Sequence, residues 1–160
     1  MSIFFSGSEL INIAIGIERR GMTFYDTMVR RAESAEARDI FQYLADEERQ
    51  HVQVFEDMLG DAGKYQPQET YEGEYTPYFQ SLVDSAVFTD DLVATEMATK
   101  AESDVHAIEM AIGAEKDSIL FYYGMIEVMH QQAHAVVDKI IAQEKTHLEQ
   151  LSELKKGLKS

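Results

Sequence analysis

The sequence predicts an all-α protein, a four-helix bundle built from two helical hairpins joined by a long crossover. Three observations carry this. Only two prolines occur, Pro67 and Pro77, and both fall mid-chain, which leaves long stretches on either side free to be helical. Four of those stretches carry apolar residues at three- and four-residue steps, the period of one helix face. Finally, the hairpins are copies: setting Ala14–Met28 on Ala111–Met125 gives identity at seven of fifteen positions.

The first helix reads from about 8 to 32, with Ser8 as its N-cap and Ile11, Ile15, Glu18, Met22, Tyr25 and Val29 in one stripe. The second runs from about 35 to 59, with Phe41, Leu44, Glu48, His51, Phe55 and Met58 as its stripe and Gly60 and Gly63 ending it. Residues 61–101 differ in character. They hold both prolines, Gly73, and the aromatics Tyr65, Tyr71, Tyr75, Tyr78 and Phe79, and read as a crossover with a short helix or two, one opened by Pro77. The third helix covers about 103–129, with Ile108, Ile112, Glu115, Ile119, Tyr122 and Ile126 on its stripe. The fourth covers about 130–156, with Val137, Ile140, Glu144, His147, Leu151 and Leu154. The whole chain, 1–160, reads as one domain, long enough to bury a core without staples.

Composition narrows the classes of function. With no cysteine, disulfides, zinc–thiolate sites, iron–sulfur clusters and a rubredoxin-type iron site are all excluded. Fourteen basic against 29 acidic residues give a net charge of −15, so no basic stripe exists to meet nucleic acid or an anionic membrane. No segment reaches the roughly 18 apolar residues of a membrane span, and the start Met-Ser-Ile-Phe-Phe-Ser-Gly lacks a basic signal-peptide region. The expectation is a soluble cytoplasmic protein.

Two motifs carry the chemistry. Glu18 is followed by Glu48-Arg-Gln-His51, and Glu115 by Glu144-Lys-Thr-His147. Three residues along a helix turn about 300° and rise about 4.5 Å, so each Glu-x-x-His projects both groups from one face. Four glutamates in a bundle core would each cost several kcal/mol of desolvation if left unpaired. No Lys or Arg shares their stripes, and two divalent cations would cancel the four charges. Oxygen-rich donors with two nitrogens and no sulfur suit iron or manganese better than zinc or copper. One Glu from each of two helices with Glu-x-x-His from each of the others is a known pattern of di-iron and di-manganese bundles.

Other candidates carry less. His130 and His134 form an i, i+4 pair, but at 1.5 Å per residue His130 stands about 21 Å from Glu144 and reads as an exposed helix start. His106 falls about 180° round the helix from Glu115, and Glu47, Glu109 and Glu127 fall off the stripes, so all read as solvated surface. Tyr25 and Tyr122, seven residues after Glu18 and Glu115, stay on the core face as packing or as donors to ligand carboxylates.

At Ala-Ile-Gly-Ile-Glu18, Glu48-Arg-Gln-His51, Ala-Ile-Gly-Ala-Glu115, Phe121-Tyr122 and Glu144-Lys-Thr-His147, the chain resembles the rubrerythrin branch of the ferritin-like superfamily. The resemblance implies two iron ions (or manganese, or a mixed pair), with Glu48 and Glu144 bridging and Glu18 and Glu115 as terminal ligands. It implies a non-haem di-iron oxidoreductase that reduces hydrogen peroxide or dioxygen. Lacking cysteine, the chain is similar to the short, erythrin-like members, which take electrons from an external donor such as a rubredoxin-type protein. Rubrerythrins resemble one another in a further glutamate three residues after the third-helix ligand; here that position is Ser118, and its counterpart is Gly21. Two alternatives stand beside the peroxidase: a ferroxidase that sequesters iron, and a metal-binding protein with a structural or sensory role. Ile13, Ile17, Phe24, Val52, Leu120 and Phe121 lie off the ligand stripes and predict an apolar surface for a homodimer.

Overall fold

Capping chemistry sets where the helices begin. The structure, a computed structural model, describes residues 7–61 and 76–159, with the side chains of Thr76 and Lys159 left aside. Gly63, Pro67, Gly73, Tyr65, Tyr71 and Tyr75 lie outside the described residues. The element α1 (Gly7–Arg31) starts ahead of Ser8, so Ser8 sits inside its first turn and is not the N-cap that the sequence suggested. In α2 (Ala35–Gly60) Ser34 is the N-cap, its hydroxyl oxygen accepting from Ala37 N at 3.0 Å. The crossover supplies two helices, α3 (Thr76–Asp84) and α4 (Asp91–Lys100), with Pro77 in the first turn of α3 and Asp90 capping α4. Ser103 caps α5 (Asp104–Val128), and after Met129 and His130 the chain continues as α6 (Gln131–Lys159). The described residues form an all-α bundle.

The long helices pack as the antiparallel hairpins α1–α2 and α5–α6, with α1 against α5 and α2 against α6. The carboxylate of Asp104 ties one hairpin to the other, accepting from Glu33 N at 2.9 Å and Ser34 N at 2.8 Å in the α1–α2 turn. On the surface Arg49 binds Asp26 through both carboxylate oxygens and also Asp46, cross-linking α2 to α1.

The crossover helices cover faces that the sequence left as outer surface. Element α4 packs on α1 and α3 packs on α5. Phe24 is fully buried with its ring 4.8 Å from Phe88, and Phe121 is buried 5.3 Å from Phe79. Phe24 and Phe121 therefore belong to the core, while Leu120 alone of the six remains strongly exposed. Two glycines on α5 permit this close approach: a Cβ on Gly113 would meet Val87 Cγ2 at 2.9 Å, and one on Gly124 would meet Phe79 Cε1 at 2.9 Å.

The apolar core divides into two clusters, one at each end of the bundle. One gathers Leu10–Ile15 of α1, Phe55 and Met58 of α2, the end of α5 and the start of α6. The other gathers Phe24, Tyr25 and Met28 of α1 with Ala32 just beyond it, Phe41 and Leu44 of α2, the start of α5 and Leu151 of α6. On all four long helices buried glutamates, joined on α2 and α6 by a histidine, fall in the interval between the two clusters; Asp104, at the start of α5, is the buried charge outside it.

Candidate metal centre

That interval contains Glu18 on α1, Glu48 and His51 on α2, Glu115 on α5, and Glu144 and His147 on α6, every one of them buried. Apolar walls above and below leave these side chains little to solvate them except one another. Atom by atom, the arrangement repeats across a pseudo-two-fold axis. The two imidazoles lie nearly parallel, 5.6 Å apart between ring centres, on the α2–α6 side. Each turns Nδ1 toward the carboxylates.

Glu48 splits its oxygens between the histidines: Oε2 is 3.3 Å from His51 Nδ1 and Oε1 is 3.6 Å from His147 Nδ1. Glu144 does the same, with Oε1 2.8 Å from His51 Nδ1 and Oε2 3.7 Å from His147 Nδ1. Glu18 and Glu115 behave differently. Glu18 sends Oε2 to His51 at 3.3 Å and gives Oε1 to the Tyr122 hydroxyl. Glu115 sends Oε2 to within 3.7 Å of His147 and gives Oε1 to the Tyr25 hydroxyl. Two four-residue groups result, Glu18–Glu48–His51–Glu144 and Glu48–Glu115–Glu144–His147, each with its ligand atoms within 4.8 Å of one another. They share Glu48 and Glu144.

The electrostatics follow from crowding. Burial, and then the charges of Glu144 and Glu18, push the Glu48 carboxyl well above its ordinary range. Burial and the neighbouring Glu144 do the same to Glu115. Glu144 goes the other way: burial would raise it, but Glu115, His147 and His51 together hold it below. Burial pushes both imidazoles down, yet carboxylates around them (Glu144 and Glu18 for His51, Glu115 and Glu144 for His147) hold both well above the usual histidine range. The cluster thus titrates as a unit that retains protons where cations would otherwise balance it. Tyr25 and Tyr122 are raised by burial and then by the charge of Glu115 and Glu18 respectively, so both stay protonated donors.

The donor set fits metal on a further observation. Glu115 Oε2 and both ring nitrogens of His147 are buried without a hydrogen-bond partner among the described residues, and groups so placed need a cation or a proton. Beside the cluster lies a cavity of about 40 Å³, touching Glu18, Glu48 and Glu115 and walled by Leu82, Val83 and Phe121. Ser118 lines it with its hydroxyl turned to the Ala114 carbonyl at 3.1 Å, as does Gly21.

The remaining sequence candidates sort clearly. His130 Nδ1 accepts from Gln132 N and His134 faces the Met129 carbonyl, both at the start of α6. His106 Nδ1 accepts from Glu102 N at the start of α5. Glu47 is the correction. Read as solvated charge, its carboxylate is only 16% exposed and stands 3.7 Å from His147 Nε2. No periodicity marks it, because its place follows from how α2 meets α6.

A family model described as rubrerythrin matches residues 9–155. The chain belongs to the rubrerythrin family. A solved structure from Thermotoga maritima, described as a ferritin-like diiron-carboxylate protein, is similar to this rubrerythrin-family chain at 29% identity and a TM-score of 0.68. The match covers 94% of this chain and 95% of that one. No curated protein matches the sequence. The family and the buried Glu/His cluster together point to a metal site. Among the described residues no helix is long and apolar enough to cross a membrane.

Proposed function

We propose that the six clustered residues hold two iron ions and that the protein reduces hydrogen peroxide, or dioxygen, with electrons from an external donor. The observation that carries this reading is the sharing of Glu48 and Glu144 between two otherwise separate ligand groups. Glu48 and Glu144 would bridge; Glu18 with His51, and Glu115 with His147, would complete one position each. Bound iron would supply Lewis acidity toward an O–O bond and one electron per ion. The protein's own part is positioning. Tyr122 and Tyr25 fix the two terminal carboxylates by holding one oxygen of each, leaving the other turned inward. The apolar clusters at either end keep bulk water from the charged layer.

The cavity beside the cluster favours a small oxidant. A volume of about 40 Å³ holds a few water-sized molecules at most, room enough for peroxide or dioxygen. The lack of cysteine in this sequence, and so of a second iron site on it, supports an external donor such as a rubredoxin-type protein. A homodimer belongs to the same proposal: Leu120 and Tyr123 on α5 and Tyr78 on α3 remain the exposed large apolar side chains of that face. The testing experiment is iron analysis of the purified protein, then anaerobic reduction and re-oxidation by each oxidant, followed by ultraviolet–visible absorbance. Two irons per chain and prompt re-oxidation by peroxide support the proposal. Slow re-oxidation with iron uptake into a large hollow assembly makes the protein a ferroxidase for storage. A folded protein that binds no iron overturns it.

A further inference from the structure

The two-fold symmetry that relates the six clustered residues breaks one layer further out. Glu47 immediately precedes Glu48, so its side chain leaves α2 about 100° round from that residue, on the side of α6. Its Oε2 stands 3.7 Å from Nε2 of His147, the ring nitrogen opposite the one that faces the glutamate cluster. One turn earlier, Tyr43 meets the same imidazole edge-on at 6.2 Å between ring centres. The repeat places Gln143 where Glu47 stands, and Lys139 where Tyr43 stands, ninety-six residues on. Gln143 and Lys139 line the groove beside His51 and also the one that Tyr43 and Glu47 line beside His147; both outer Nε2 atoms are buried without a hydrogen bond among the described residues, and the one with a carboxylate at ion-pair distance is that of His147. The amide and the ammonium are thus near both imidazoles, and what sets them apart is the Glu47 carboxylate behind His147.

We propose that Glu47 is a positioning residue for His147 and makes the two metal positions unequal, the His147 side being the tighter. The inference rests on the two-metal reading above. A carboxylate behind an imidazole accepts its outer N–H, which fixes the tautomer that presents the Nδ1 lone pair inward and makes that nitrogen a stronger donor. On metal binding that contact must close from 3.7 Å to hydrogen-bond length. Among the described residues no carboxylate is paired with the outer nitrogen of His51. The chain therefore fills in order, first beside His147 and then beside His51, and holds its two ions with different strength.

The test uses the full chain under anaerobic conditions, with Co²⁺ as the probe, read by visible absorbance in competition with a chelator. The parent takes two ions in two resolved steps, and His147→Ala abolishes the tighter one. Glu47→Gln weakens the tighter step by about 10- to 100-fold and leaves the weaker step in place. Gln143→Glu, which builds the missing carboxylate beside His51, tightens the weaker step and narrows the gap. Identical constants in parent and Glu47→Gln, or equal weakening of both steps, overturn the inference. Loss of the weaker step in His147→Ala overturns it too. Should Glu47→Gln fail to fold by circular dichroism, Gln143→Glu decides alone, and an unchanged gap overturns the inference. A parent that binds no Co²⁺ at all is a different failure: the two-metal reading then falls, and every variant is equally silent.

Discussion

Tyr122 on α5 donates its hydroxyl to Glu18 on α1, across the seam between the two hairpins. The repeat answers with Tyr25 on α1 and Glu115 on α5. Each hydroxyl occupies one carboxylate oxygen and so decides which oxygen turns toward the histidine of its own half. Tyr122→Phe removes that donor and keeps the ring, so the contacts with Phe55 and Phe121 persist. The fold should survive, and affinity for divalent metal at the His51 side should fall by about tenfold. Tyr25→Phe should do the same at the His147 side. Chelator-competition titrations read both, and parent-like affinity in both variants would reduce the tyrosines to packing.

Bridging and terminal positions predict different damage. Glu48→Ala and Glu144→Ala each remove a residue present in both ligand groups, so metal should be lost from both positions. His51→Ala and His147→Ala each touch one group and should leave close to one ion per chain. A ligand at a thousandfold excess over its Kd stabilises the folded state by about 4 kcal/mol, and that increment should vanish in the bridging variants. His130→Ala and His134→Ala, engaged only at the start of α6, should bind metal as the parent does. Elemental analysis after desalting, paired with thermal unfolding, tests the set. Full loading of Glu48→Ala would remove α2 from the site.

The pH dependence changes sign with metal. In the metal-free protein Glu48, Glu115, His51 and His147 all titrate above their unfolded values, so the folded state holds more protons. Their contribution to stability is full below the unfolded values, near 4.5 for the carboxyls and 6.5 for the imidazoles, and is lost as pH rises beyond. Glu144 contributes oppositely, its stabilisation fading only as pH falls below the ordinary carboxylate range. Metal-free protein should therefore melt higher at pH 5.5 than at pH 8. Metal displaces those protons, so affinity and the melting temperature of the loaded protein should rise over the same interval. Scanning calorimetry at both pH values, with and without Fe²⁺, reads the crossing; parallel trends would place the raised groups elsewhere.

How much of this was legible in the sequence depends on whether a residue's role is local. The stripes announce Glu18, Glu48, His51, Glu115, Glu144 and His147, since helical period alone aims them inward and the structure brings all six together. The pairing of each tyrosine with the opposite hairpin's glutamate was readable only as a choice between packing and donation. Phe24 and Phe121 read as dimer surface because nothing in α1 or α5 reveals that Phe88 and Phe79 return from the crossover to cover them. Glu47 was invisible for the same reason: its neighbour His147 is a hundred residues away on another helix.

The close approach of the crossover gives a stability prediction with no metal in it. Gly113→Ala puts a methyl 2.9 Å from Val87 Cγ2; the Val87 backbone is held by its N–H bond to Asp117 at 2.7 Å, so relief must come from the χ1 of a β-branched side chain, which is stiff. Overpacking of this kind costs roughly 1–3 kcal/mol, and a chain of this size loses about 2–4 °C in Tm for each kcal/mol. Gly124→Ala, against Phe79, should cost a similar amount. Gly21→Ala is the control, since its nearest neighbour, Glu48 Cγ, lies at an ordinary 3.6 Å. Thermal unfolding of the metal-free proteins compares them, and a Gly113→Ala melt as high as the parent's would mean that the crossover docks more loosely than its contacts imply.

If the protein reduces an oxidant as proposed, Ser118 is placed to bear on which one. It is buried, lines the cavity with Glu18, Glu48 and Glu115, and occupies the position where rubrerythrins resemble one another in a further glutamate. Ser118→Glu would fill the cavity with a carboxylate one helical turn from Glu115 and on nearly the same face. Metal-free, that fifth buried carboxylate adds charge to an already crowded layer, so the variant should unfold at lower temperature than the parent. Loaded with ferrous iron, it should react faster with peroxide relative to dioxygen. The parent should consume about one equivalent of peroxide per pair of irons, two irons supplying the two electrons that reduce it to water. Repeated turnover should need an added reductant, the chain having no cysteine-bound iron of its own. Stopped-flow absorbance with each oxidant measures the ratio. If Ser118→Glu loads two irons yet leaves the peroxide-to-dioxygen ratio where it was, the empty volume beside Ser118 has no part in selecting the oxidant, and the selection must lie with the ligand set itself.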